Sequence, residues 1–260
     1  MLIAAADQAR VAATLRAAGC VFAEDEAGLL ADAAASGADL DRMVRERAGG
    51  VPLEHVVGYA DFAGVRVLLD RGVFVPRQRT GYLVDLAARR LVPGATLVDL
   101  CCGSGALALA LAHRVPGVAV YAADVDPDAV ACARRNLVPA GGTVLAGDLF
   151  APLPDELRGR VDVLVANVPY VPTTEIALMP VEAREHEPLV ALDGGADGLA
   201  VLRRVATGAP DWLRPRGHLF VETTAAQAPA ARAAFAAAGL RVRVATARRR
   251  GATVIHGERT

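Results

Sequence analysis

Val98-Asp99-Leu100-Cys101-Cys102-Gly103-Ser104-Gly105 is the stretch that decides the fold. An apolar run carries an acid and passes into a loop with two closely spaced glycines. Glycine lets the backbone turn tightly and approach a ligand that a Cβ would keep away. Residues 106–114, apolar as far as Ala112, follow directly and read as a helix, whose first N–H groups point into the same space. Strand, glycine loop and helix in this order are the opening unit of a nucleotide-binding α/β domain.

Outward from that unit, strands and helices alternate. The patterning predicts strands over 96–100, 118–123, 143–146, 161–166, 218–222, 240–245 and 253–256, and helices over 106–114, 127–137, 198–213 and 225–238. Such alternation implies an α/β fold, a doubly wound, mostly parallel seven-stranded sheet with helices on both faces. The last two strands are joined by an arginine-rich turn too short for a crossover helix, so one of them runs antiparallel.

Upstream the period differs. Residues 1–50 read as three short helices: Val11, Leu15 and Ala18 form one stripe, Asp25 caps a second helix closed by Gly37, and Asp39 caps a third closed by Gly49-Gly50. Segments 55–59 and 65–69 read as a β-hairpin turning at Ala63-Gly64, and a helix is expected over 80–91. The expected organisation is a helical unit at 1–50, a hairpin linker at 51–75 and a cofactor-binding domain at 76–260.

Composition narrows the function. The 260-residue chain has a formal net charge of -1, which argues against direct nucleic-acid binding. All its basic residues besides histidine are arginine, which excludes Schiff-base and Walker-type lysine chemistry. Cys20, Cys101, Cys102 and Cys132 have no zinc-ligand spacing, and no metal is expected. No apolar run approaches the roughly 20 residues that span a bilayer. Met1-Leu2-Ile3-Ala4-Ala5-Ala6 is broken by Asp7 and lacks a basic leader, so a cytoplasmic protein is expected.

Three acids fall at successive strand ends. Asp124 ends the second strand of the domain, where it can accept from ribose hydroxyls, and Gly147-Asp148 follows the third. The run Gly103 to Ala108 also fits the dinucleotide pattern G-x-G-x-x-A. Asp99, however, would repel a pyrophosphate while tolerating a sulfonium and an amino group. Asp148 can meet an adenine amino group. The set Asp99, Cys101, Gly103, Gly105, Asp124, Asp148 and Asn167 therefore reads as a pocket for S-adenosylmethionine.

The fourth strand ends in Asn167-Val168-Pro169-Tyr170. The Asn167 side-chain oxygen and the Val168 carbonyl offer two acceptors for the hydrogens of a planar NH2 group. Pro169 fixes φ and removes a competing donor, and Tyr170 offers a ring to pack against. These four residues are the expected catalytic set, and the chemistry they suit is direct methyl transfer to nitrogen.

The chain resembles the HemK/PrmC-type glutamine methyltransferases, which methylate the Gly-Gly-Gln loop of peptide-chain release factors. The resemblance runs through Pro52 to Gly58, Val75-Pro76-Arg77, the glycine loop, Asp124 to Asn136, Gly147 to Phe150 and the Asn-x-Pro-Tyr motif. It continues in Glu185-His186-Glu187-Pro188, Leu192-Asp193-Gly194-Gly195 and Asp197-Gly198-Leu199. It implies a class I methyltransferase-like fold and a release factor as protein partner, positioned by the N-terminal helices and hairpin. Three departures stand out: Val168 where the family has proline, Gln78-Arg79-Thr80-Gly81 where it carries two acids, and Thr223-Thr224 where a glycine follows Glu222. They mark a divergent paralogue. Two other readings share these residues: an N-methyltransferase for a nucleobase or small amine, and a cofactor-binding paralogue without activity. A nicotinamide oxidoreductase is the remaining alternative.

Overall fold

The computed structural model describes residues 5–260, so the first four residues of the leader reading lie outside the described residues. Three helices come first, α1 (Ala5–Ala17), α2 (Ala23–Ala33) and α3 (Gly37–Ala48), followed by a short α4 (Leu53–Val57). Their core is Val11, Leu15, Leu30, Leu40, Met43 and Val44, and it also takes in Val56 from α4. Ala18 is exposed and takes no part in the expected stripe. Asp25 lies inside the first turn of α2 and caps nothing, because that helix starts two residues earlier. Gly37 opens α3 instead of closing α2. Ser36 caps α3 by accepting from Asp39 N at 3.2 Å, and Asp39 accepts in return from Ala35 N at 3.1 Å. The second bond ties down the residue before the cap, so the pair resembles a capping box shifted by one position.

The hairpin is shorter than expected. It pairs β1 (Tyr59–Phe62) with β2 (Val65–Leu68), while His55, Val56 and Val57 belong to α4. Val56 and Val57 are β-branched, but Val56 is buried in the helical core, and that packing overrides strand propensity. Gly58 closes α4 at φ 80°, and the two-residue turn places Ala63 and Gly64 at φ 49° and 94°. Both central residues at positive φ match the twist of a tight hairpin.

The main sheet is built from β3 (Thr96–Leu100), β4 (Ala119–Asp124), β5 (Thr143–Ala146), β6 (Val161–Ala166), β7 (Leu213–Thr223), β8 (Leu240–Ala247) and β9 (Ala252–Arg259). Its order is β5-β4-β3-β6-β7-β9-β8, with β9 antiparallel to both neighbours. The strand expected to run against the others is thus the last. Flanking helices are α5 (Gly81–Ala88), α6 (Ala106–Arg114), α7 (Pro127–Leu137), α10 (Ala200–Trp212) and α11 (Ala228–Ala237). The helix expected over 80–91 is shortened to α5. Between β6 and α10 lie two short helices absent from the sequence reading, α8 (Val181–His186) and α9 (Leu189–Leu192).

Side-chain alternation divides the core. Leu97 packs with α5, α6 and α7 on one face, whereas Val98 and Leu100 pack with α10 and α11 on the other. The strand order reverses beside β3, with β4 on one side and β6 on the other. A crevice opens outside the carboxyl ends of the strands at such a switch point. No helix of the described residues is long and apolar enough to cross a membrane.

Candidate active site

A cavity of about 220 Å³ occupies this crevice, with the glycine loop on one side and the end of β6 on the other. Cys101, Gly103, Asp124, Asp148, Asn167, Val168, Pro169 and Tyr170 all line it. Asp99 and Gly105, expected in the same lining, are not on the wall. They stand behind it and shape the loop.

Gly105 adopts φ +79°, and a Cβ there would fall 2.8 Å from Leu137 Cδ1. Asp99 is fully buried and faces α6, where its Oδ2 accepts from Ala108 N at 3.1 Å, and its Oδ1 has no partner. Burial pushes its carboxyl up to about 8, with the nearby Asp124 adding to the shift. Asp99 therefore keeps its proton well above the usual carboxylate range, and through Ala108 N it ties the end of β3 to α6. Its expected role as a negative charge facing a sulfonium is not how it sits. Cys101 holds φ 54°, a left-handed conformation unusual for a side-chain-bearing residue, and burial pushes its thiol up.

Asp124 ties the two sides of the loop together. Its Oδ2 accepts from Gly103 N at 2.8 Å and its Oδ1 from Asp126 N at 3.0 Å. Each oxygen keeps a further lone pair for a ligand hydroxyl. Asp148 is more than half exposed and pairs with Arg204 at 2.5 Å. Arg204 also lines the cavity, and nothing in the local sequence marked it.

At the other end, the Asn167 Oδ1 atom is buried without a hydrogen-bond partner. Among the described residues the Val168 carbonyl accepts no backbone bond. Tyr170 Oη accepts from Arg79 Nη2 at 2.5 Å, and Arg79 Nε reaches the buried Glu222 at 3.2 Å. Burial pushes the Glu222 carboxyl up, and Arg79 works against that shift. Position 79, one of the departures noted above, thus closes the acceptor end of the cavity with a cation already held by two partners.

The motif after β6 is fastened by segments far away in sequence. Val171 N donates to Leu192 O at 3.0 Å, and Gly194 N donates to Val171 O at 2.8 Å. Gln227 Nε2, also unmarked in the sequence, donates to Tyr170 O at 2.8 Å and Asp197 O at 3.2 Å. Gly198 fits beneath, where a Cβ would meet Tyr170 O at 2.2 Å. Buried Glu187 accepts from Val75 N at 3.1 Å and Arg77 Nη2 at 2.6 Å. Asn136 bridges hairpin and glycine loop, accepting from Leu68 N at 2.8 Å and donating to Leu68 O at 2.8 Å and Ser104 O at 2.9 Å. His55 Nε2 lies 2.8 Å from Val73 O and plays a structural part. The quoted motifs of the sequence are thus one hydrogen-bonded frame around the cavity.

Known proteins resemble this chain. The chain is 38% identical over 199 residues to a release factor glutamine methyltransferase of Geobacter sulfurreducens, covering 76% of this chain and 69% of that protein. The chain belongs to the release factor glutamine methyltransferase family. The corresponding enzyme of Mycolicibacterium smegmatis is 43% identical over 187 residues, covering 71% of this chain and 66% of that one. The matched stretches thus span about two thirds of these relatives' own length. The family model described as Methyltransferase small domain matches residues 66–183. Among solved structures, a methyltransferase from Pyrococcus furiosus superposes with a TM-score of 0.56 at 15% identity, covering 75% of this chain and 89% of that one. That likeness is one of fold.

Proposed function

We propose that this member of the family transfers a methyl group from S-adenosylmethionine to the side-chain amide nitrogen of a protein glutamine, in the Gly-Gly-Gln loop of a release factor. The observation that carries the reading is Asn167 Oδ1, a buried acceptor without a partner at the rim of the cavity. A buried acceptor left unpaired costs about 1–3 kcal/mol. That cost is recovered when a ligand N–H arrives.

S-adenosylmethionine fits the residues present. The loop 101–105 leaves room at Gly103, where a Cβ would meet nothing, and no room for a Cβ at Gly105. Gly103 and Asp124 would hold the ribose side, Asp148 and Arg204 the adenine edge, and Asn167 the end nearest the methyl donor. When bound, the cofactor supplies an electrophilic methyl on a sulfonium. The chain's own work is alignment. Asn167 Oδ1 and Val168 O accept the two N–H hydrogens of the amide, Pro169 keeps the bend rigid, and the Tyr170 ring packs on the amide plane. Arg79 holds the Tyr170 hydroxyl, fixing that ring. No side-chain base is needed before transfer, because holding both hydrogens orients the nitrogen. As the N–C bond forms and the S–C bond breaks, one of the two hydrogens leaves the nitrogen as a proton, passing to water. Asp99 and Gly105 act one layer behind, by shaping the loop.

Residues 1–50 and 51–75 are read as the surface that presents the acceptor protein to the 76–260 unit. Arg47 on α3 reaching Glu182 on α8, and Glu187 holding Val75 and Arg77, support that placement. The test is incubation with methyl-labelled S-adenosylmethionine and a release factor, beside a variant whose loop glutamine is alanine. Label on the intact loop alone supports the proposal, whereas equal labelling of both proteins contradicts it.

A further inference from the structure

A second concavity opens on the other side of Arg79 from the active-site cavity. This cleft, of about 410 Å³, is lined by Gln78, Arg79, Asp85, Arg114 and Arg250 above Gly81. Arg79 belongs to both walls. The three arginines come from separate elements: the turn before α5, the last turn of α6, and the turn between β8 and β9. Their convergence is a product of the fold and is invisible as a local charge run.

The charges do not cancel. Asp85 uses one oxygen on Arg114 at 2.5 Å and the other on Arg250 at 2.7 Å. Arg79 is countered only by Glu222, whose side chain is 2% exposed and lies on the inner side. Three guanidinium groups therefore face two carboxylates, and one positive charge is left over. Arg250 spends one of its five N–H donors on Asp85 and lines the cleft, which leaves the rest of its fork available to a ligand. A planar guanidinium fork matches a carboxylate in shape as well as charge.

We propose that this cleft receives an acidic side chain of the acceptor polypeptide while the neighbouring glutamine lies in the main cavity. The proposal rests on the protein-glutamine reading above. Because Arg79 is the shared wall, the acidic residue lies within a few positions of the glutamine in an extended segment. A polypeptide is favoured over nucleic acid because one uncompensated charge, in a chain of net charge -1, offers no track for successive phosphates.

The test uses fluorescein-labelled hexaglutamate, read by anisotropy on the full chain. The Arg114→Gln/Arg250→Gln double variant should bind about tenfold more weakly than the native chain, and Asp85→Asn severalfold more tightly. Opposite signs in two variants of one cleft do not arise from misfolding. Equal affinity in all three proteins, or no binding by the native chain, would overturn the proposal. So would tighter binding of an oligouridylate of the same length than of hexaglutamate. Methyl transfer to a release factor is then measured with the same proteins. A KM about tenfold higher in the double variant, with kcat preserved, is expected, and an unchanged KM overturns the cleft's role in the reaction. Should the native chain methylate no release factor, the functional reading fails while the peptide titration still decides the cleft.

Discussion

At the residue scale, the account rests on two buried polar atoms with no partner inside the chain, one on Asn167 and one on Asp99. They carry different predictions. Asn167→Ala should lower turnover by at least about 100-fold, the scale seen when one preorganised hydrogen-bonding group is lost from an active site. Its affinity for S-adenosylmethionine, measured by calorimetry, should change far less. A parallel loss of cofactor affinity would place Asn167 on the wrong partner. Asp99 makes its prediction through pH. Its folded-state pKa of about 8 stands well above the ordinary carboxylate value, so the folded chain holds a proton that the unfolded chain releases. The stability Asp99 contributes is full in acid and is lost as pH rises through that window. Asp99→Asn cannot ionise, so its stability relative to the native chain should climb by on the order of 2–4 kcal/mol between about pH 5 and about pH 8. Denaturant titrations across that range would contradict the assignment if the two curves ran parallel.

At the scale of elements, legibility followed periodicity. The strands at 96–100, 143–146 and 161–166 and the helices at 106–114 and 127–137 stand where the sequence places them, because uninterrupted apolar patterning and a capping residue such as Asp126 define their ends. That one of the last two strands runs antiparallel followed from the shortness of one turn, and the structure makes it β9. His55 to Val57 misled, since local strand propensity lost to burial of Val56 in the helical core. The stretch between β6 and α10 has no readable period, and its purpose appears in bonds such as Val171 N to Leu192 O and those that Glu187 accepts from Val75 and Arg77. Gln227 and Arg204 gave no signal because their partners are distant in sequence. The candidate site was more legible than its supports: the cavity-lining residues announced themselves by type and position at strand ends, whereas Asp99 and Gly105 turn out to stand behind the wall. Gly198 belongs to those supports. Its φ of +74° and the 2.2 Å approach of Tyr170 O leave no place for a methyl group. Gly198→Ala should destabilise the fold by about 2 kcal/mol or more and slow methyl transfer as the loop shifts. Gly19→Ala is the control, since a Cβ there meets nothing although its φ is also positive. Equal effects of the two substitutions, read by thermal melting, would mean that backbone strain alone matters and the contact with Tyr170 does not.

At the scale of the whole molecule, the helical N-terminus is joined to the catalytic side through Arg47. Its guanidinium binds Glu26 through two nitrogens, at 2.6 and 3.2 Å, and also reaches Val51 O and Glu182. Both Arg47 and Glu26 side chains are only 11% exposed. Removing one partner strands a buried charge, so Arg47→Met should cost about 3 kcal/mol, and Arg47→Met/Glu26→Leu should recover most of it. No recovery in the double variant, by denaturant titration, would mean that Arg47 acts through its other contacts.

The central claim is that the methyl group ends on an amide nitrogen, and acid hydrolysis of the labelled acceptor protein tests it most directly. A methylated glutamine amide breaks down to glutamate and labelled methylamine, which becomes volatile once the hydrolysate is made basic, so the account predicts that the label leaves the protein as methylamine. Label remaining on an amino acid after hydrolysis, or released as methanol, would contradict it.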